Sequence, residues 1–170
     1  MSENIFIIGF MGSGKSHWGK IWAPKNKLTY FDLDNEIEKG FGLTVSEIFE
    51  THGEEKFRSL EKDYLREFAH RKSFLLSCGG GTPCFFDNLT WMKKVGKVIY
   101  LKAAPGFLLN NVMSEIEKRP LLKDSNASEL LIFIENKLKE REPVYERAHH
   151  ILDTTLLTDE SLSYFTGNKI

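Results

Sequence analysis

The chain has 170 residues, 41% hydrophobic and 28% charged, which suits one globular domain with at most small inserted flaps. Its 23 basic and 24 acidic residues leave a net charge of −1, so nonspecific nucleic-acid binding, which relies on a basic excess, is disfavoured, while a local basic pocket for a small anion stays open. No apolar run is long enough to span a membrane, the N-terminus lacks a secretory signal, and Cys78 and Cys84 do not make a disulfide framework, so a cytoplasmic protein with reduced thiols is expected.

Residues 5–8, Ile-Phe-Ile-Ile, predict a buried strand that ends at Gly9. The next eight residues, Gly9-Phe10-Met11-Gly12-Ser13-Gly14-Lys15-Ser16, match G-x-x-x-x-G-K-[ST] at every fixed position. Glycines at these points let backbone N–H groups wrap a phosphate, and the helix predicted from residue 15 to 23 points its positive end at the same anion. In this reading Gly12, Ser13, Gly14 and the backbone of His17 help to hold the phosphates of a nucleotide. Lys15 contacts the β- and γ-phosphates, and Ser16 offers its hydroxyl to Mg²⁺. The motif names a nucleotide and not a reaction. No Asp is followed three residues later by Gly, and Asn26-Lys27-Leu28-Thr29 lacks the aspartate that reads guanine, so a GTPase switch is disfavoured and a compact kinase fits better.

A second strand is expected over 28–31, closed by Asp32. If the extended backbone continues, Asp32 and Asp34 share a face. One can serve a cation and the other a substrate hydroxyl, or Asp34 can cap the helix that holds residues 36–39. A helix over 54–69 follows, with Phe57, Leu60 and Phe68 at helical spacing. Arg58 and Glu61 lie one turn apart on it. They read either as a surface ion pair or as a guanidinium turned inward toward a substrate carboxylate.

The third strand, 74–76, runs into Ser77-Cys78 and then Gly79-Gly80-Gly81, which is either a flexible turn or a place where a ligand meets bare backbone. A fourth strand is expected over 98–101 and a weaker fifth at 151–152. Residues 114–128 form a polar stretch carrying Arg119-Pro120-Leu121-Leu122, readable as a flap that brings an arginine to phosphate or as a loop with an ordinary surface arginine. The helix over 128–147 places Arg141 near the stripe of Ile134, Leu138 and Tyr145, where an inward cation needs an anion. Pro143 interrupts hydrogen bonding nearby. Alternating strands and helices argue an α/β fold with a mostly parallel sheet, its ligands beyond the carboxyl ends of the strands.

The phosphate loop, Phe31-x-Asp32-x-Asp34, Phe57-Arg58-x-x-Glu61, the glycine triplet, Arg119-Pro-Leu-Leu and Arg141 with Tyr145 form an ordered set that resembles the shikimate kinase family from Ile5 to about Thr155. The resemblance implies a three-layer α/β/α fold of the P-loop kinase type, with a five-stranded parallel sheet, a small lid at about 114–128 and a helical substrate-binding region, all within one domain of 1–170. It implies transfer of the γ-phosphate of ATP to the 3-hydroxyl of shikimate. In that scheme Lys15, Asp34 and Arg119 are catalytic, Arg119 also closing over ATP. Asp34, Arg58, Gly80 and Arg141 bind shikimate, supported by Glu61, Gly79 and Gly81. Ser16 and Asp32 organise Mg²⁺. It further implies a monomer with no nucleic-acid or membrane partner. One departure is visible: where family members often carry an arginine beside the adenine, this chain reads Asn110-Asn111-Val112, which puts the grip on the base in question. The competing readings are a P-loop kinase for another polyol, such as gluconate, and a nucleotide-binding regulator without catalysis.

Overall fold

The computed structural model describes residues 3–117 and 126–166. Five parallel strands form one sheet in the order β2-β3-β1-β4-β5, with β1 Asn4–Ile8, β2 Thr29–Asp32, β3 Phe74–Ser77, β4 Lys97–Lys102 and β5 His150–Asp153. All five strand expectations are met to within two residues at each end. The weak candidate at 151–152 becomes a strand because its residues pair with Ile99 to Lys102 of β4.

Period-two alternation assigns the two faces of the sheet. Ile5, Ile7, Leu75, Ile99 and Leu101 point to one side, where α1 Lys15–Lys25 covers them with Trp22 and Ala23. Phe6, Ile8, Phe74, Leu76, Val98 and Tyr100 point to the other. There they meet buried side chains of α2 Leu33–Phe41, α3 Val45–Glu67, α4 Asn88–Val95, α5 Pro105–Glu117 and α6 Ala127–Tyr145. The result is the three-layer α/β/α arrangement.

Two helices carried no usable sequence signal. α4 spans eight residues, too few turns to display a period, and buries only Asn88, Leu89 and Met92. α5 opens on Pro105-Gly106 and contains Asn110-Asn111, residues of poor helix propensity; Leu108 and Val112, one turn apart, hold it to the core. The helix expected from residue 54 begins nine residues earlier, at Val45, where Thr44 and Glu47 form a capping box. Gly53 breaks it with φ 79° and ψ 171°, and a regular helix resumes at Glu54. Pro143 does not end α6, which continues to Tyr145.

Within the polar stretch at 114–128, the described residues are mostly helical. Residues 114–117 complete α5, and 127–128 open α6, where the Asn126 side chain caps Ser128 N–H. Residues 118–125, with Arg119, lie outside the described residues.

Candidate active site

The connection leaving β1 crosses to β2 on one side, and the connection leaving β3 crosses to β4 on the other. Such a reversal opens a crevice beyond the carboxyl ends of the strands. Gly9 to Ser16, Asp32 to Asp34 and Cys78 to Thr82 all follow strand ends there.

Gly12 and Gly14 of the loop adopt φ +80° and +87°, conformations that a side chain opposes. Gly14 is the N-cap of α1, whose first turn carries no acidic residue, so the helix's positive end is left to the loop. Ser13 is 1% exposed, and its Oγ has no hydrogen-bond partner. Lys15 turns its ammonium back into the loop and donates to the carbonyls of Gly9 and Phe10, both at 2.8 Å. Burial lowers its pKa to about 8, against the pull of Asp34 and other nearby acids. A cavity of about 400 Å³ is lined by Gly12, Gly14, Lys15, Ser16, Phe107 and Asn111 among others. His17 reaches its rim with an exposed ring set edge-on to Trp18.

Asp32 and Asp34 are organised differently from the extended-strand expectation. The strand stops at Asp32 and the helix starts at Leu33, so the cap is Asp32 and not Asp34. Asp32 Oδ1 accepts from the backbone N–H of Asp34 at 3.1 Å and of Asn35 at 3.4 Å. Its Oδ2 accepts from the Ser16 hydroxyl at 2.8 Å. That hydroxyl and carboxylate are a hard-oxygen pair suited to a divalent cation that also binds phosphate oxygens and water. Among the described residues no group of three or more His, Cys, Asp or Glu gathers to hold a metal by protein ligands alone.

Asp34, in the first turn of α2, faces the crevice. Its Oδ1 is buried without a hydrogen-bond partner. Burial first, then the neighbouring charges of Asp32 and Glu61, raise its pKa to about 6.

The glycine triplet brings the acceptor side together. A Cβ on Gly79 would lie 3.3 Å from Asp34 Oδ1, one on Gly80 3.5 Å from Arg141 Nη1, and one on Gly81 2.6 Å from Arg58 Nη2. Bare backbone thus separates one carboxylate and two guanidinium groups, in the order the sequence lists the glycines. Arg58 is 8% exposed and Glu61 fully buried, so the Arg58–Glu61 pair is not a surface ion pair. Arg58 donates to Glu61 at 2.8 Å and to Glu54 through Nε and Nη2, and its plane lies over the Phe85 ring at 4.2 Å. Arg141 rests 5.8 Å from the centroid of Phe10, beside Tyr145. Tyr145 is fully buried and donates its hydroxyl to Gly80 O at 2.5 Å.

Sequence reasoning placed Lys15, Ser16, Asp32, Asp34, Arg58, Glu61, Arg141 and the glycines in one crevice, and the structure brings all of them there. It overlooked Thr82, whose hydroxyl donates to Glu61 at 2.5 Å, and Glu54. Glu54 was legible as the residue one turn before Arg58. Thr82 gave no signal, because its pairing spans 21 positions. His149 Nδ1 accepts from Val98 N–H, and the His150 ring packs on Phe165. Cys78 and Cys84 are free thiols.

A phosphate loop at β1 of a parallel sheet with this strand order is the architecture of the P-loop kinases, and beside it two guanidinium groups and a carboxylate gather around bare backbone. The profile of the shikimate kinase family matches residues 11–167, and the chain belongs to that family. A shikimate kinase of Phocaeicola vulgatus is 40% identical over 156 residues, covering 92% of this chain and 89% of its own. Two solved structures are similar throughout. A shikimate kinase from Bacteroides thetaiotaomicron superposes with a TM-score of 0.82 at 36% identity, over 91% of this chain and 87% of that one. One from Acinetobacter baumannii, in complex with shikimate, superposes with a TM-score of 0.81 at 33% identity, over 96% and 89%.

Proposed function

We propose that this protein transfers the γ-phosphoryl group of ATP to the 3-hydroxyl of shikimate, giving ADP and shikimate 3-phosphate in the route to chorismate and the aromatic amino acids. The observation that carries this reading is the glycine triplet, which sets Asp34, Arg141 and Arg58 around one small space opposite the phosphate loop. Two guanidinium groups suit a carboxylate, and a buried carboxylate oxygen without a protein donor suits a hydroxyl.

In this scheme Gly12, Ser13, Gly14 and the backbone of His17 hold the phosphates, and Lys15 leaves the carbonyls of Gly9 and Phe10 to reach them. Arg58 and Arg141 fix the shikimate carboxylate, with Gly80 offering backbone and Glu61 fixing Arg58. Gly79 and Gly81 admit the ligand. Asp34 orients the hydroxyl in line with the γ-phosphorus and, ionised above about pH 6, can take its proton. The O–P bond forms as the bond to the β–γ bridging oxygen breaks, and ADP departs with that electron pair. Arg119 meets the phosphoryl group from the segment between α5 and α6. Ser16 and Asp32 would hold Mg²⁺, which would supply neutralisation of the phosphate charge. We place the reaction in the cytoplasm, in a single-domain monomer of residues 1–170 with no nucleic-acid or membrane partner. Among the described residues no helix is long and apolar enough to cross a membrane.

A coupled ADP-release assay tests the reading. ADP released with shikimate and not with gluconate supports it. Release with gluconate alone would assign another polyol, and ATP binding without acceptor-dependent release would leave a regulator.

A further inference from the structure

A phosphate loop turns its N–H groups toward the anion, and its carbonyls therefore face outward and need partners of their own. In this chain two of those carbonyls, Gly9 and Phe10, are satisfied by Lys15, whose ammonium is also the group that a phosphate attracts. The carbonyl of Gly12 is satisfied differently. Asn111 Nδ2 donates to it at 2.7 Å, across 99 positions of sequence. The same helix packs directly on the loop: a Cβ on Gly12 would lie 3.1 Å from Leu108 O and 3.1 Å from Val112 Cγ2. Asn111 and Ser114 also line the phosphate cavity.

We propose that Asn111 is a positioning residue for nucleotide binding, an amide latch from α5 that fixes the Gly12 peptide so that the loop keeps its anion-binding shape when Lys15 leaves its carbonyl partners. This deepens the phosphoryl-transfer reading above and rests on it for the identity of the nucleotide. The latch also ties the loop to the helix that leads toward Arg119, eight positions after Asn111 in the sequence. It gives the Asn110-Asn111-Val112 segment a role that differs from contact with the base: the side chain holds protein backbone.

The test reads nucleotide affinity directly, by calorimetric titration of the full chain with ADP. Asn111→Leu keeps the approximate shape and removes the donor. Asn111→Asp keeps the shape and sets an acceptor against an acceptor. Loss of one hydrogen bond to an enclosed carbonyl is expected to raise the Kd for ADP about tenfold in Asn111→Leu, and at least as much in Asn111→Asp. The KM for shikimate should stay within about twofold, as expected for a contact remote from the acceptor side. An ADP Kd unchanged in both variants overturns the proposal. So does a lower melting temperature without nucleotide while the folded variants bind ADP as wild type does, since the contact would then be structural only. If wild type binds ADP but shows no shikimate-dependent turnover, the acceptor assignment fails, and the latch is still judged by the ADP titrations alone.

Discussion

Glu61 lies fully buried behind Arg58, its Oε2 accepting from Nη1 at 2.8 Å while Oε1 takes the Thr82 hydroxyl at 2.5 Å. Both carboxylate oxygens are thus engaged, one by the guanidinium that lies over the Phe85 ring and the other by the Thr82 hydroxyl. Removing one member of such a pair strands the other. Glu61→Ala should lower unfolding stability by about 3–5 kcal/mol in urea melts, since Arg58 would keep only the exposed Glu54 as partner. Glu61→Gln, whose amide oxygen still accepts from Arg58 while its NH2 can donate to a reoriented Thr82 hydroxyl, should cost less. In folded samples of either variant the shikimate KM should rise while the ADP Kd stays at the wild-type value. A shift in ADP affinity as large as the shift in shikimate KM would contradict this division of labour.

Asp34 has a folded pKa of about 6 against 3.8 in an open chain. Between these values the folded state holds more protons, so stability falls as pH rises through the window and the penalty is complete above it. Asn at this position cannot ionise. Asp34→Asn should therefore be more stable than wild type at pH 7.5 by an amount on the order of 2 kcal/mol, and the gain should shrink as pH falls toward 5. The same variant should lose nearly all phosphoryl transfer. In wild type, kcat/KM should decline as the pH drops below about 6, where the carboxylate gains its proton. A stability difference from wild type that is the same at pH 7.5 as at pH 5 would refute the buried-charge account.

Lys15 shifts in the opposite sense, to about 8 from 10.5. Bound phosphates favour its charged form and raise that pKa again, so above pH 8 nucleotide binding must take up a proton. ATP affinity should weaken from pH 8 to pH 9.5, and titrations in buffers of different ionisation enthalpy should report proton uptake growing over that range. Lys15→Met should abolish the extra uptake along with most turnover. Pre-ionised, pH-independent binding across this interval would show that the lysine keeps its charge in the free loop.

How far these residues were legible depends on how local their signals are. The phosphate loop needs one strand end and one helix start, all within eight residues, and it reads directly from its glycines. Asp34 was found by residue type, but its geometry was misjudged. Asp32 and Asp34 look alike on paper, and only the observed start of the helix at Leu33 makes one the cap and the other the group facing the crevice. Arg58 could be paired with Glu61 by helical spacing, whereas its burial comes from Phe85 and Gly81, more than twenty residues away. The contacts of Thr82 with Glu61 and of Asn111 with Gly12 have no local trace at all. The sheet was legible because each strand is a short apolar run with a defined end. α4 and α5 were not, one being too short to show a period and the other opening on Pro105-Gly106.

Gly79 tests whether the acceptor pocket depends on bare backbone. A Cβ there would stand 2.9 Å from Glu61 Oε1, 3.1 Å from Thr82 Oγ1 and 3.3 Å from Asp34 Oδ1. Glu61 and Thr82 are completely buried and bonded to each other, so neither can retreat without breaking that bond. The side chain free to yield is Asp34, whose Oδ1 has no partner to hold it. Gly79→Ala should therefore displace the proposed hydroxyl-orienting carboxylate while sparing the phosphate loop. The expected outcome is a fall in kcat of about tenfold or more, since small misplacements of a reacting group carry large costs in rate. ADP affinity should be unchanged. Gly106→Ala is the matched control, because nothing lies within 4 Å of a Cβ at that position; its kinetics should equal those of wild type. Equal kinetics for Gly79→Ala as well would mean that a methyl placed 3.3 Å from Asp34 Oδ1 does not disturb that carboxylate.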